Sequence, residues 1–181
     1  MLVDFSENKP PPAKSFADVY ADNAAFMWRS IRRLGVRDSD VEDVCQEAFL
    51  VAYRKLGDFH GGSMKAWLFA IGVRVAADHR RRAHVRREVT SDEVAEPSAA
   101  ETQSAAIDSE RAARLLESII ATLDVDKRAV FICYELEEMA MAEVAVALDC
   151  PLQTAYSRLH AARDHVTAAI ERWHRREGSR A

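Results

Sequence analysis

Residues 38–87 run DSDVEDVCQEAFLVAYRKLGDFHGGSMKAWLFAIGVRVAADHRRRAHVRR. Apolar residues recur there at helical spacing, first through Val41, Val44, Cys45, Ala48, Ala52 and Leu56, then through Trp67, Leu68, Ile71 and Val75. The Ser39-x-x-Glu42 pattern predicts a capping box opening the first helix. Gly61-Gly62 breaks the chain, and Ser63 can cap the second helix. The faces left outside differ in character. The first helix presents Glu42, Asp43, Gln46, Glu47 and Arg54; the second presents Lys65, Arg74, Arg81 and Arg82. An acidic, glutamine-bearing surface suited to a protein partner thus adjoins an arginine-rich, aromatic one suited to opened nucleic acid.

Upstream, residues 1–13 with Pro10-Pro11-Pro12 read as a tail. Positions 16, 19, 20, 23, 27, 31 and 34, apolar except Asn23, predict a helix that stops at Gly35. Residues 14–87 are therefore expected to form one three-helix domain. Downstream, the charge reverses. Six arginines lie between Arg74 and Arg87 against Asp78 alone, whereas 88–110 hold seven acids and no Lys or Arg. Like charges repel, so 88–110 is expected to be a flexible acidic linker.

A second domain is expected over 111–176. Leu115, Leu116, Ile119, Ile120 and Leu123 form a helical stripe. Asp124 or Asp126 can cap a segment over 127–138 that carries Val130, Phe131 and Tyr134. A short helix near 141–148, a turn at Asp149-Cys150-Pro151 and a long helix to about Arg175 make a helix-turn-helix. Leu152, Ala155, Leu159, Ala162, Val166, Ile170 and Trp173 would hold the last helix to its core. Residues 177–181 read as a tail.

Composition fits this all-α, two-domain class. The 181 residues are 49% apolar, with only 6 glycines and 5 prolines, and alternating β-branched runs are missing. No apolar run is long enough to span a bilayer, and the first residues lack a basic-then-apolar signal pattern. Three scattered cysteines, Cys45, Cys133 and Cys150, suggest neither a disulfide framework nor a zinc pair, which points to a reducing cytoplasm. No H-E-x-x-H pair, phosphate loop or nucleophile elbow is found among the six histidines or elsewhere. Neither catalysis nor a cofactor or metal is expected.

Each charged cluster also has a plainer explanation. Thr154, Tyr156, Ser157, Arg158 and Arg163 suit a major groove, yet any α-bundle has a solvated face. The 74–87 arginines suit phosphates, or could complement a helix C-terminus. Trp67 suits base stacking or core packing; Phe59 and His60, beside the glycine break, are better placed for exposure. The acidic 88–110 stretch is a spacer, or a nucleic-acid mimic that screens a basic channel.

The motifs resemble those of the extracytoplasmic-function (group IV) RNA polymerase sigma factors. That family carries a D-A-E-D-x-x-Q-E-x-F-L helix, similar to Asp40 through Leu50 here. Its W-L-x-x-I-A-R-N-x-x-x-D-x-x-R-R helix resembles Trp67 through Arg82, with Asp78 and Arg81-Arg82 in place. Its E-I-A-x-x-L-G helix-turn-helix ending resembles Glu143 through Arg163. The resemblance spans residues 14–176. It implies that Glu42, Asp43, Gln46 and Glu47 bind core RNA polymerase. It implies that Phe59, His60, Lys65, Trp67, Arg74, Asp78, Arg81 and Arg82 open and read the minus-ten element, with one base flipped out. Thr154, Tyr156, Ser157, Arg158 and Arg163 would read the minus-thirty-five element in duplex DNA. An anti-sigma factor is expected as a further partner, and the free protein is expected to be a monomer. Val73-Arg74 stands where the family often has Arg-Asn, Gln153 where it has Gly, and Tyr156 and Ala161 where basic residues are common. These departures imply an unusual promoter. Without the resemblance, a helix-turn-helix regulator that binds DNA alone, or a helical sequestering protein, would also fit.

Overall fold

The computed structural model describes the backbone of residues 15–89 and 105–178, with side chains over 15–83 and 111–176. Among the described residues there are seven α-helices and no strand. They are α1 (Phe16–Arg33), α2 (Val41–Lys55), α3 (Met64–Val89), α4 (Ala105–Ala121), α5 (Val125–Phe131), α6 (Met141–Ala147) and α7 (Leu152–Gly178). The all-α expectation holds. The predicted linker is partly helical, since α3 runs through Val89 and α4 begins at Ala105 rather than near Arg111. Residues 1–14, 90–104 and 179–181, including the tail predicted at 1–13 and most of the linker, lie outside the described residues.

Helices α1, α2 and α3 pack around Met27, Ile31, Leu34, Val41, Leu68 and Phe69, which are all fully enclosed. Asn23, the polar residue on the α1 stripe, is buried and satisfied, its Nδ2 donating to the Val19 carbonyl at 2.8 Å. Burying that amide costs little because its donor stays paired. The capping box belongs to α1, not α2. The Asp18 amide donates to Ser15 Oγ at 3.2 Å, and the Ser15 amide donates to Asp18 Oδ2 at 3.1 Å. At α2 a 3₁₀ turn over Asp38–Asp40 runs straight into the helix, so Ser39 lacks the extended backbone that a cap needs. Its hydroxyl donates to Asp40 Oδ1 at 2.8 Å instead. Ser63 does cap α3, accepting from the Ala66 amide at 3.2 Å. Before it, Gly61 and Gly62 take φ of +106° and +89°, with open space around both Cα atoms.

In the C-terminal half, Ile119, Ile120, Leu123, Val130, Ile132, Leu159 and Ala162 make the core against α7. Asp124 is the cap chosen for α5, accepting from the Lys127 amide at 3.0 Å. The segment expected as one helix over 127–138 divides: α5 ends at Phe131, and a π turn covers Ile132–Leu136. Leu152 and Trp173 do not hold α7 to the core; they are 47% and 39% exposed. With 27 residues, α7 is about 40 Å long and outreaches its short partners, leaving both ends uncovered.

Among the described residues Phe69 is the largest fully buried side chain. Phe69→Ala should cost about 3–5 kcal/mol through lost transfer energy and the cavity left behind. Urea melts of the two proteins measure it: a lower midpoint with an unchanged slope is the expected result.

Candidate functional site

The α2 face is built as its spacing implies. Glu42, Asp43 and Gln46 are exposed, while Val41, Val44, Ala48, Phe49 and Ala52 are buried beneath them. Glu47 is half-buried and accepts from Arg82 Nη2 at 2.8 Å. The structure therefore joins a residue assigned to the polymerase face with one assigned to the minus-ten face. The same helix exposes Leu50 and Tyr53, at 50% and 62%, seven residues beyond Asp43 and Gln46. Seven residues are about two helical turns, so these apolar groups extend the acidic face. Their spacing was the available signal, hidden because both residue types ordinarily signal a core. Phe16, Tyr20 and Phe49 frame the patch, with ring centroids 5.0 Å from Phe16 to Tyr53 and 4.7 Å from Tyr20 to Phe49.

The loop before α3 and α3 itself carry the second group. Phe59 and Trp67 are each half-buried and lie ring to ring, centroids 5.4 Å apart, while His60 is exposed. The Lys65 ammonium lies 5.7 Å from the Phe26 ring centroid. Asp78 is paired with Arg81. His79 sits 3.0 Å from Asp40, which ties α3 to the start of α2. The Ser39 hydroxyl first, then His79, hold the Asp40 carboxyl below its ordinary range despite partial desolvation. Arg74 is exposed on α3, and Arg80 is turned inward onto the Leu34 carbonyl at 2.8 Å.

On α7, Tyr156 and Ser157 are exposed and Thr154 is half-buried. Ser157 Oγ donates to the Gln153 carbonyl at 3.0 Å. Both arginines that the resemblance assigns to DNA are held by carboxylates, one on α5 and one in the π turn. Arg158 pairs with Asp126, and Arg163 Nε donates to Glu135 Oε1 at 2.6 Å while lying 5.5 Å over the Tyr134 ring. Both pairs are partly open to solvent, and ion pairs of this kind are weak.

Among the described residues no three His, Cys, Asp or Glu side chains are grouped to hold a metal ion. Burial pushes the Cys45 thiol up to about 11 and raises the Cys133 thiol further, so neither is a thiolate at neutral pH. No described helix is long and apolar enough to cross a membrane.

Two family models match, in chain order: Sigma-70 region 2 over residues 19–86 and Sigma-70, region 4 over residues 113–166. The RNA polymerase sigma-H factor of Pseudomonas aeruginosa is 34% identical over 143 residues, covering 73% of this chain and 74% of that protein. The ECF RNA polymerase sigma-E factor of Escherichia coli is 32% identical over 147 residues, covering 75% and 76%. Among solved structures, CnrH in complex with the cytosolic domain of CnrY aligns with a TM-score of 0.63 at 25% identity, covering 86% of this chain and 87% of that one. The sigma factor RpoE of Bartonella quintana, solved with the anti-sigma factor NepR, shares the fold at a TM-score of 0.69 and 19% identity, covering 86% and 96%. The chain belongs to the extracytoplasmic-function family of RNA polymerase sigma factors. It is accordingly a transcription initiation factor, a regulatory protein rather than an enzyme.

Proposed function

We propose that this sigma factor divides its work between two domains, 14–87 and 111–176, joined through the acidic 88–110 segment. Glu42, Asp43, Gln46 and Glu47, extended by Leu50 and Tyr53, dock on core RNA polymerase. Phe59, His60, Lys65, Trp67, Arg74, Asp78, Arg81 and Arg82 open and read the minus-ten element. Thr154, Tyr156, Ser157, Arg158 and Arg163 read the minus-thirty-five element in the major groove. The observation that carries this reading is the division of charge between neighbouring helices. Exposed acids on α2 stand beside arginines and a Phe59–Trp67 pair at α3, within the segment matched to region 2. Aromatic rings can stack on an unpaired base while arginines follow the backbone. On α7 the donors Tyr156, Ser157 and Arg158 occupy the early turns, where a helix-turn-helix meets base edges.

The protein acts in the cytoplasm, as a monomer until it joins the polymerase, and a protein inhibitor of the anti-sigma kind controls it. Two structural relatives support that last step, since CnrH was solved with the cytosolic domain of CnrY and RpoE with the anti-sigma factor NepR. Run-off transcription with purified core polymerase and a pool of genomic fragments tests the whole reading. Discrete new start sites that need this protein are the expected result. Core binding without new starts would mark a sequestering protein, and DNA binding without the polymerase would mark an independent regulator.

A further inference from the structure

Helix α7 gives its core face to Ala155, Leu159, Ala162 and Val166, all buried. At about 100° per residue, the stripe on the opposite side of the helix is Gln153, Ser157, His160 and Asp164. All four are exposed. Arg158 and Arg163 lie to either side of that stripe, and each is held from the protein side, Arg158 by Asp126 and Arg163 by Glu135 and the Tyr134 ring. They face the walls of a groove rather than its floor. The side chain that reaches deepest must come from the outer four.

Those four are not equivalent. The Ser157 hydroxyl donates to the Gln153 carbonyl at 3.0 Å, so its one donor is taken up within its own helix. Asp164, 70% exposed and 3.9 Å from His160 Nε2, carries a charge that phosphates repel, and it marks the outer limit of a DNA-facing stretch. About two turns remain, from Gln153 to His160. Gln153 stands in the first turn of α7, where the sigma-factor pattern has glycine and so no side chain to read with. Its carboxamide pairs with no other described residue. A carboxamide sets an acceptor and a donor side by side. In the major groove only adenine offers the matching pair, its N6 amino group as donor and its N7 as acceptor. Beside Gln153, Leu152 is 47% exposed and shares an apolar hollow with Pro151 and Val146 of α6, a surface that suits the C5-methyl group of a thymine.

We infer that Gln153 is a specificity-determining residue of this protein: its carboxamide reads one adenine in the major groove, with Leu152 against a neighbouring thymine methyl. The inference rests on the reading of α7 as the minus-thirty-five helix and deepens it by naming a residue and a base. Two hydrogen bonds to one base edge discriminate against a wrong base by about fivefold to 150-fold.

Run-off transcription with the full chain and core polymerase tests it, on a promoter whose minus-thirty-five base pairs are each replaced in turn by the other three. Wild type should lose about tenfold of its transcription when one particular adenine is replaced. Gln153→Ala should be indifferent to the base at that position and keep the wild-type preference at the others. Gln153→Glu should prefer cytosine there, since a carboxylate accepts from the cytosine N4 amino group. Circular dichroism should show both variants folded, because Gln153 is exposed and only its backbone carbonyl serves the helix. A Gln153→Ala variant with the wild-type preference at every position would overturn the assignment and leave the DNA role of α7 standing. So would a preference lost at a base other than adenine, or a loss spread evenly over all positions, the mark of a misplaced helix. A wild-type protein that starts at discrete sites yet ignores every base pair of that element would overturn the DNA role of α7, and the assignment with it.

Discussion

Asp43→Lys should abolish holoenzyme assembly while leaving the fold intact. Asp43 is exposed in the first turn of α2 and has no intramolecular ion pair among the described residues. Its removal therefore strands no buried partner. The cost to the protein itself is a lost helix-dipole interaction of about 0.3–1 kcal/mol, within reach of a small drop in melting temperature. The cost at an interface is larger. Losing a charged pair and placing a like charge against a basic partner together cost several kcal/mol, about 100-fold or more in affinity. Co-purification with core polymerase measures it. A variant retained as well as wild type would remove Asp43, and with it the α2 face, from the polymerase contact.

Arg158→Ala should reduce promoter-specific transcription by about tenfold or more, with core binding unchanged. Losing one base-edge or phosphate contact costs about 1–3 kcal/mol, the range from which that factor comes. The variant also frees Asp126, but that carboxylate is 61% exposed and is readily solvated. Stability should change little. Run-off transcription at a series of salt concentrations adds a second readout. Loss of a phosphate contact flattens the salt dependence, whereas loss of a base contact relaxes sequence preference at one position. Lost core binding with intact DNA recognition would move Arg158 to the polymerase side.

Much of this was legible in the chain because helical periodicity reports burial directly. Val41, Val44, Ala48 and Ala52 face inward as their spacing predicts, and so do Ala155, Leu159, Ala162 and Val166. Local signals were weaker where two sites share one pattern. Ser15-x-x-Asp18 and Ser39-x-x-Glu42 look alike, and only the backbone entering each helix decides which hydroxyl becomes a cap. Period alone also places Leu152 and Trp173 inside, because it cannot tell how long the neighbouring helices are. Least legible were contacts across the chain. Arg33 meets Glu137 across 104 positions, and nothing near either residue announces the other. The same holds for Arg158 with Asp126 and Arg163 with Glu135, each arginine reading in sequence as free to meet a phosphate.

Gly61 and Gly62 carry a consequence of a different kind for the loop beside Phe59 and His60. Nothing lies within 4 Å of where a Cβ would stand at either position, so the pair is not there to make room. What excludes an ordinary side chain is handedness: φ of +106° and +89° suits the mirror image of a natural residue. A D-alanine installed by chemical ligation would favour positive φ in the unfolded chain as well as the folded one. The loop would then be stiffened in the backbone conformation it already holds, which would separate the shape of the loop from its mobility.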